Sequence, residues 1–275
     1  MTTIDSATMR RLTLHEAQVH AMPGREVRDL GDAILLHDPI DPEPFWNRIA
    51  AVRWPSDPVA FDRRLTEMLV LFASLGRQPH VWASPLHDRP VDLVERLTAN
   101  GFRDTGEGSV MVLADPAPAE ALVARPLAPG VAVERLSGIR GRIAAEAASA
   151  IVEVLADAFD VGSDRRLGVT AETISSLARP TFTHYLARWD GRPVAVARRA
   201  TFDGISYLSS IGTAAWGRGN GFGRLVTAVA SSDAVAAGSE WTHLGVFADN
   251  RGAIRLYGDL GFDRVGEACP DLLLI

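Results

Sequence analysis

The period of the hydrophobic positions changes along the chain, and the changes divide it. Phe61, Leu65, Met68, Leu69 and Phe72 recur at helical spacing. Pro58 stands near the start of that stripe and Gly76 just past its end, as helix termini favour. PHVWAS then reads as a strand, residues 91–100 as a helix closed by Gly101, and residues 109–113 as a strand. Residues 114–130, ADPAPAEALVARPLAPG, are rich in proline and alanine and read as a linker. Beyond it VAVERL predicts a strand, and Ile143, Ala147, Ile151, Val154 and Leu155 form one stripe of a long helix. Three extended runs follow, joined by Asp190-Gly191 and Asp203-Gly204. Asp-Gly between strands favours turns with positive φ at both positions, so the spacing predicts an antiparallel meander. Phe222, Leu225, Val226 and Val229 then mark a helix. A strand at 241–247, a short helix at 250–260 and a last strand ending in DLLLI complete the pattern.

Composition narrows the possibilities. A chain of 275 residues makes one large domain or two small ones, and 47% hydrophobic with 23% charged residues is ordinary for a globular protein. A net charge of −6 argues against nucleic acid as a partner. The N-terminal stretch MTTIDSATMRRLTLHE has no apolar leader core, and no apolar run approaches the length of a membrane span. The single cysteine, Cys269, cannot form an internal disulfide, and a cytoplasmic protein without membrane attachment is expected. With neither CxxC nor HExxH, and with scattered histidines, no metal site is expected.

The densest chemical signal is WGRGNGFGR, residues 216–224. Four alternating glycines carry a heavy cost in backbone entropy. A P-loop would end in Gly-Lys-Ser/Thr, and none is present. A dinucleotide fingerprint would read GxGxxG and open a parallel βαβ unit; here the spacing is GxGxGxG and the loop follows a meander. What remains is strand, glycine-rich turn and helix N-terminus, where main-chain N–H groups and the helix dipole favour an anion. Arg218 and Arg224 can add charge, and a pyrophosphate fits. A tight turn holding no ligand is the plainer alternative. Further on, NRGAIRLYGDLGF puts Ala253, Leu256, Tyr257 and Leu260 on one helix face. Tyr257 is either a core tyrosine bonded to a carbonyl or a neutral acid aimed into a cleft.

Together these stretches resemble the GCN5-related N-acetyltransferase (GNAT) superfamily. That family's pyrophosphate loop reads Arg/Gln-x-x-Gly-x-Gly/Ala, which WGRGNG matches from Gly217 onward. Its later segment reads Asn-x-x-Ala-x-x-Leu-Tyr-x-x-x-Gly-Phe, which Asn250, Ala253, Leu256, Tyr257, Gly261 and Phe262 match. The likeness covers about half the chain, from Val131 to the end. Trp216 departs from the pattern, standing where Arg or Gln is usual, so a side-chain phosphate contact is lost there while the main-chain donors remain.

VERLTANGFRDTGE aligns with AIRLYGDLGFDRVGE through Gly101-Phe102 with Gly261-Phe262 and Gly106-Glu107 with Gly266-Glu267. The expected fold is therefore α+β: the GNAT fold, a central and mostly antiparallel sheet flanked by helices, in two tandem copies. The division expected is 1–115 for a degenerate first copy, 116–130 for the linker and 131–275 for the catalytic copy. In the first copy Leu97 stands for Tyr257, Pro90 for Asn250, and WPSDPVAF for the glycine loop. Proline lacks the N–H donor that a phosphate needs, so that copy is expected to bind no coenzyme.

The resemblance implies acetyl-CoA as donor and an amine, of a small molecule or a peptide, as acceptor, joined by direct attack. It implies coenzyme contacts from Ile211, Gly212 and Thr213 on a splayed strand, from Gly217, Arg218, Gly219, Asn220, Gly221, Phe222, Gly223 and Arg224 in the loop, and from Asn250. It makes Tyr257 the general acid. The strand ISYLSSIGT offers no carboxylate as general base, and His184 is a candidate relay. Residues 159–169, with Asp160, Asp164, Arg165 and Arg166, should border the acceptor. The rival reading is a catalytically inactive acyl-CoA sensor or partner-binding protein. The sequence names neither the acceptor nor the oligomeric state.

Overall fold

The computed structural model describes residues 2–21 and 24–275. The chain runs through α1 (Ser6–His20), β1 (Glu26–Asp29), β2 (Ile34–His37), β3 (Arg48–Ala50), α2 (Pro58–Leu75), β4 (His80–Trp82), α3 (Leu93–Ala99) and β5 (Phe102–Asp104). It continues through β6 (Gly108–Leu113), α4 (Ala117–Val123), β7 (Val131–Leu136), α5 (Gly141–Ala158), α6 (Arg166–Leu177), β8 (Phe182–Trp189), β9 (Arg192–Phe202) and β10 (Ile205–Thr213). It ends with α7 (Phe222–Ala236), β11 (Trp241–Phe247), α8 (Arg251–Gly258), β12 (Phe262–Arg264) and β13 (Asp271–Leu274). Two compact units result. One comprises Met1–Val110, Val246–Arg251 and Arg264–Ile275, the other Met111–Gly245 and Gly252–Asp263.

In the first unit the sheet order is β1-β2-β3-β4-β13-β5. Helix α2 forms on its stripe as the spacing predicts. The Asp57 carboxylate accepts the Ala60 N–H at 2.9 Å to cap its start, and Gly76 closes its end at φ +63°. Phe61, Leu65, Met68 and Phe72 are buried with Ile49, Val81, Leu97, Phe102 and Leu272. The presence of Leu272 follows from the register, because β13 pairs antiparallel with both β4 and β5. His80 fixes that strand: Nδ1 bonds the Pro44 carbonyl at 2.7 Å and Nε2 meets the Asp271 carboxylate.

In the second unit the order is β12-β6-β11-β10-β9-β8-β7. Strands β8 to β10 are the expected meander, and Asp190, Gly191, Asp203 and Gly204 all take positive φ at its turns; β7 pairs antiparallel with β8 at its edge. The core beneath α5 and α6 gathers Ala144, Ala148, Ile151, Leu155, Leu177 and Val196. The fold is α+β in two copies, as expected. The copies correspond in detail: Phe102 and Phe262 open β5 and β12, Gly101 and Gly261 before them take φ +92° and +93°, and Leu97 on α3 answers to Tyr257 on α8.

Four features differ from the sequence reading. Strand β13, at the end of the segment 131–275, lies in the first sheet between β4 and β5, and β6, from the segment 1–115, lies in the second sheet between β11 and β12. Both are short apolar strands that need a partner on each side, and their order along the chain does not say which sheet supplies it. Residues 116–130 are not bare linker: their alanines form α4, which packs on α7 with Ala119 fully buried. Ile143 is 63% exposed, because the buried stripe of α5 runs through Ala144 and Ala148 instead. The charged run 159–169 ends inside a helix, α6, that the sequence reading left out. Among the described residues no helix is long and apolar enough to cross a membrane.

Leu272→Ala should remove about 3 kcal/mol of stability, as deletion of a buried leucine side chain does. The loss should appear in the first unit. Native-state hydrogen exchange should quicken at Val81 and Phe102 while β8 and β9 keep their protection. Faster exchange in β8 and β9 alone would show that β13 belongs elsewhere.

Candidate functional site

The site begins where two parallel strands part. Strands β10 and β11 pair from Ile205–Trp241 to Leu208–Leu244, and the ladder stops there although β10 continues to Thr213. At the same point β10 bulges against β9. Ser209 pairs with Arg198 and Gly212 with Val196, so Ser210 and Ile211 together face Ala197, and Ser210 takes φ +52°. Beyond Leu208 the edge of β10 that faces β11 carries no ladder, and at its end the Thr213 carbonyl is met by the Arg218 side chain. The sequence-predicted Ile211, Gly212 and Thr213 lie on this edge. Gly212 has a steric reason as well: a Cβ there would lie 2.9 Å from the Ala158 Cβ and 3.2 Å from the Phe159 ring. The end of α5 thus packs on the bulge.

The glycine loop follows directly. Its four glycines serve two different needs. A Cβ on Gly217 would collide with Val194, and one on Gly223 would lie 2.9 Å from the Thr213 hydroxyl. Gly219 and Gly221 instead take φ +82° and +81°, with nothing within 4 Å of where a Cβ would stand. Gly221 is the N-cap of α7, and no side chain caps that helix. Its first-turn N–H groups are therefore left bare at the positive end of the helix dipole, under an open loop surface. The Asn220 amide braces the loop by donating to the Gly217 and Arg218 carbonyls, both at 3.2 Å. Arg218 turns back to the Thr213 and Ala158 carbonyls, at 3.3 and 3.4 Å. Arg224 is exposed, and Phe222 is buried against Trp189. Trp216 stacks on Trp189 at 5.9 Å, with the Arg192 guanidinium 4.3 Å from its ring centre.

Helix α8 meets this loop. The Leu256 Cδ1 atom lies 3.7 Å from where a Gly223 Cβ would stand. The next residue, Tyr257, is 7% exposed, and among the described residues its hydroxyl has no hydrogen-bond partner. Burial pushes its phenol up to about 12. Asn250 directly precedes α8, its N–H bonded to the Phe247 carbonyl. Cys269 is buried, as expected of an apolar filler, and its thiol is pushed up to about 12 by that burial.

Sequence reasoning missed one buried polar cluster. Arg198 on β9 donates to the Ser209 hydroxyl at 3.0 Å and to Glu172 on α6 at 2.9 Å, and so pins the bulge from beneath. The signal was an arginine at an inward position of VAVARRATF, where an unpaired charge is not tolerated. His184 is not a cleft base. Its Nε2 bonds the buried Ser176 hydroxyl at 2.7 Å, and burial, with the Arg198 charge, pushes it down to about 3. Of the acceptor run, Phe159 reaches the bulge and is 55% exposed, and Leu167 is 82% exposed. Arg166 bonds the Val161 carbonyl within the run.

Residues 148–262 match the model of the acetyltransferase (GNAT) family. A GCN5-related N-acetyltransferase from Kribbella flavida is similar along the whole length: 22% identity, 99% of this chain and 96% of that chain covered, TM-score 0.70. A functionally unknown conserved protein from Staphylococcus epidermidis ATCC 12228 shares 13% identity over 92% and 95% of the two chains, with a TM-score of 0.66. A tandem GNAT protein from the clavulanic acid biosynthesis pathway, solved without AcCoA, shares 14% over 94% and 86%, with a TM-score of 0.63. These likenesses show the fold. Among curated proteins no relative matches.

The environment of His184 makes a pH test. Its folded value lies well below its ordinary 6.5, so between about pH 3 and 6.5 the unfolded chain holds a proton that the folded one refuses. Stability from this residue is full above pH 6.5 and falls as pH drops through that window, by about 1.4 kcal/mol per pH unit. His184→Gln should therefore flatten the loss of unfolding free energy between pH 6.5 and 5 by about 2 kcal/mol. Parallel curves for parent and variant would mean that His184 is not held neutral.

Proposed function

We propose that the acetyltransferase (GNAT) domain of residues 148–262 moves the acetyl group of acetyl-CoA to an amine of a small molecule or peptide, by direct attack and with Tyr257 as general acid. The observation that carries this reading is the uncapped start of α7 beneath the bare surface of Gly219 and Gly221. That cradle suits a pyrophosphate: main-chain N–H groups converge, and no side chain stands in the way. Gly217, Arg218, Asn220, Phe222, Gly223 and Arg224 complete the loop, and Asn250 stands at the start of the helix that carries Tyr257. The donor would supply the thioester. The open edge of β10 at Ile211, Gly212 and Thr213 would hold its pantetheine arm and receive the negative charge that develops on the carbonyl oxygen.

As the amine nitrogen bonds to the carbonyl carbon, the carbon–sulfur bond breaks and the sulfur needs a proton or a hydrogen bond. A phenol at about 12 stays protonated through neutral and mildly alkaline pH. Complete transfer to a thiolate of ordinary basicity would run uphill by roughly 5 kcal/mol. The burial that raises Tyr257 also raises a sulfur held beside it, so donation proceeds together with bond cleavage. The nitrogen sheds its proton to water, since β10 presents Tyr207, Ser209 and Ser210 and no carboxylate. The exposed Phe159 and Leu167, with Asp160 and Asp164, favour an acceptor that joins an amine to an apolar body. The first unit takes no part in coenzyme binding in this reading, because Asp57 already occupies the start of α2. The absence of a carboxylate on β10 also favours a second reading, an acyl-CoA sensor without turnover. A cytoplasmic location accords with the single buried cysteine.

Release of free thiol from acetyl-CoA across a panel of amines separates the enzyme from the sensor. Tyr257→Phe should lower kcat about a hundredfold with coenzyme affinity nearly kept. A rate within about twofold of the parent would return Tyr257 to the core. Calorimetry should give one acetyl-CoA per chain, and Gly221→Val should abolish that binding in a protein that remains folded. Unchanged affinity in the variant, or two coenzymes per chain, would overturn the assignment of the loop.

A further inference from the structure

The acyl-transfer chemistry leaves one buried arginine unused. Strand β9 turns Val194, Val196, Arg198 and Ala200 to one face, and all four are buried. Arg198 is therefore a charge in an otherwise apolar row, and it is 5% exposed. It is held from two sides: one guanidinium nitrogen donates to Glu172 on α6 at 2.9 Å, and Nε donates to the Ser209 hydroxyl on β10 at 3.0 Å. Stability does not account for such a pair, since apolar side chains of similar volume commonly serve as well or better.

The strand register says what the contact reaches. His184 on β8 pairs with Arg198, and Arg198 pairs with Ser209, so three polar side chains lie in line across three strands. Helix α6 covers the line with Glu172 and Ser176, four positions apart and so on one helix face. The Ser176 hydroxyl donates to the Thr173 carbonyl at 3.0 Å and accepts from His184 Nε2 at 2.7 Å. His184, kept neutral by its burial and by the Arg198 charge, does not compete with Arg198 for the Glu172 carboxylate. The line ends at Ser209, the last residue of β10 in register before the bulge. The next residue, Ser210, takes φ +52°, which a residue other than glycine holds only under constraint. Beyond the bulge Gly212 is packed against Ala158 and Phe159. The bulge is thus fixed by packing after it and by a directional hydrogen bond before it.

We propose that Arg198 is a positioning residue for acetyl transfer: through Ser209 it sets the turn of Ser210 and Ile211, and with it the direction in which the main chain of β10 meets the thioester carbonyl. This role rests on the reading of the second unit as an acetyltransferase. Arg198 acts through the bulge and not by contact with the substrate, so coenzyme affinity, set at the glycine loop, is spared.

The test uses the full chain and acetyl-CoA labelled with ¹³C at the acetyl carbonyl, followed by NMR and calorimetry, and needs no acceptor. A carbonyl that accepts main-chain hydrogen bonds resonates downfield of the free thioester, and that displacement is expected in the parent. Arg198→Met should lose most of it while affinity for acetyl-CoA stays within about threefold of the parent. Ser209→Ala removes only the bond to the bulge and should lose as much, and the double variant no more than either. His184→Gln changes the same line without a bond to β10 and should keep the displacement. With the amine that the parent acetylates fastest, kcat of Arg198→Met and Ser209→Ala should fall about tenfold at a nearly unchanged KM for acetyl-CoA. A displacement that survives in Ser209→Ala, additive losses in the double variant, or an equal loss in His184→Gln would overturn the positioning role. So would affinity that falls in step with the displacement, because a general loosening of the unit moves both. A parent that binds acetyl-CoA without any displacement, or does not bind it, would instead overturn the reading on which the role rests.

Discussion

The parting of β10 from β11 is the constraint on which the second unit is arranged. A parallel pair that stayed in register to Thr213 would satisfy every main-chain group and leave nothing for a ligand. Here the ladder ends at Leu208–Leu244, and the extra residue at Ser210 turns the strand away. The positive φ of Ser210 costs about 1–3 kcal/mol, and the surroundings hold it in place. Arg198, itself bonded to Glu172 on α6, grips Ser209, and the end of α5 presses on Gly212. Since β10 leads straight into the glycine loop, the opened edge and the bare helix start are two ends of one short segment.

The two copies show that a backbone plan and its chemistry are separable. A helix start must satisfy its N–H groups with a side chain, with water or with a ligand. Helix α2 uses Asp57, which places a fixed negative charge where a phosphate would have to sit. Helix α7 uses nothing of its own. The same contrast recurs at the next helix, where Leu97 is fully buried as an apolar plug and the largely buried Tyr257 carries a hydroxyl. In the first copy the start of α2 is taken by the Asp57 carboxylate.

What could be read in the sequence was local. The Asp-Gly turns, the stripe and caps of α2, and the glycine loop before α7 each depend on residues within a few positions of one another, and each stands where its pattern put it. The glycines were visible as a cluster, but that Gly217 and Gly223 are small for lack of room while Gly219 and Gly221 are small for their φ depends on Val194 and Thr213, which only folding brings near. The Glu172–Arg198–Ser209 cluster is non-local in the same way. Ile143 was misjudged because a helix rich in alanine lets either of two adjacent stripes look apolar. Residues 114–130 read as linker because of their prolines, although they also hold six alanines, which favour helix.

The exchanged strands are the least local feature, and they bear on why a copy without the glycine loop persists. The second sheet has β6 between β11 and β12, and β6 comes from the chain before the first copy's sequence is finished with. The first sheet in turn has β13 between β4 and β5, with Gln78 bonded to Leu274 across 196 positions of sequence and His80 to Asp271 across 191. Contacts of that separation form late, because closing so long a loop precedes any gain from the contact. The core around Phe72 and Val81 is not complete until the last strand arrives with Leu272. A second copy cut out at residue 131 would lose β6 and leave the inner edges of β11 and β12 unpaired, a template for wrong association. The degenerate copy therefore need not bind or catalyse anything to be kept: a strand of its segment is a structural part of the sheet from which the glycine loop springs.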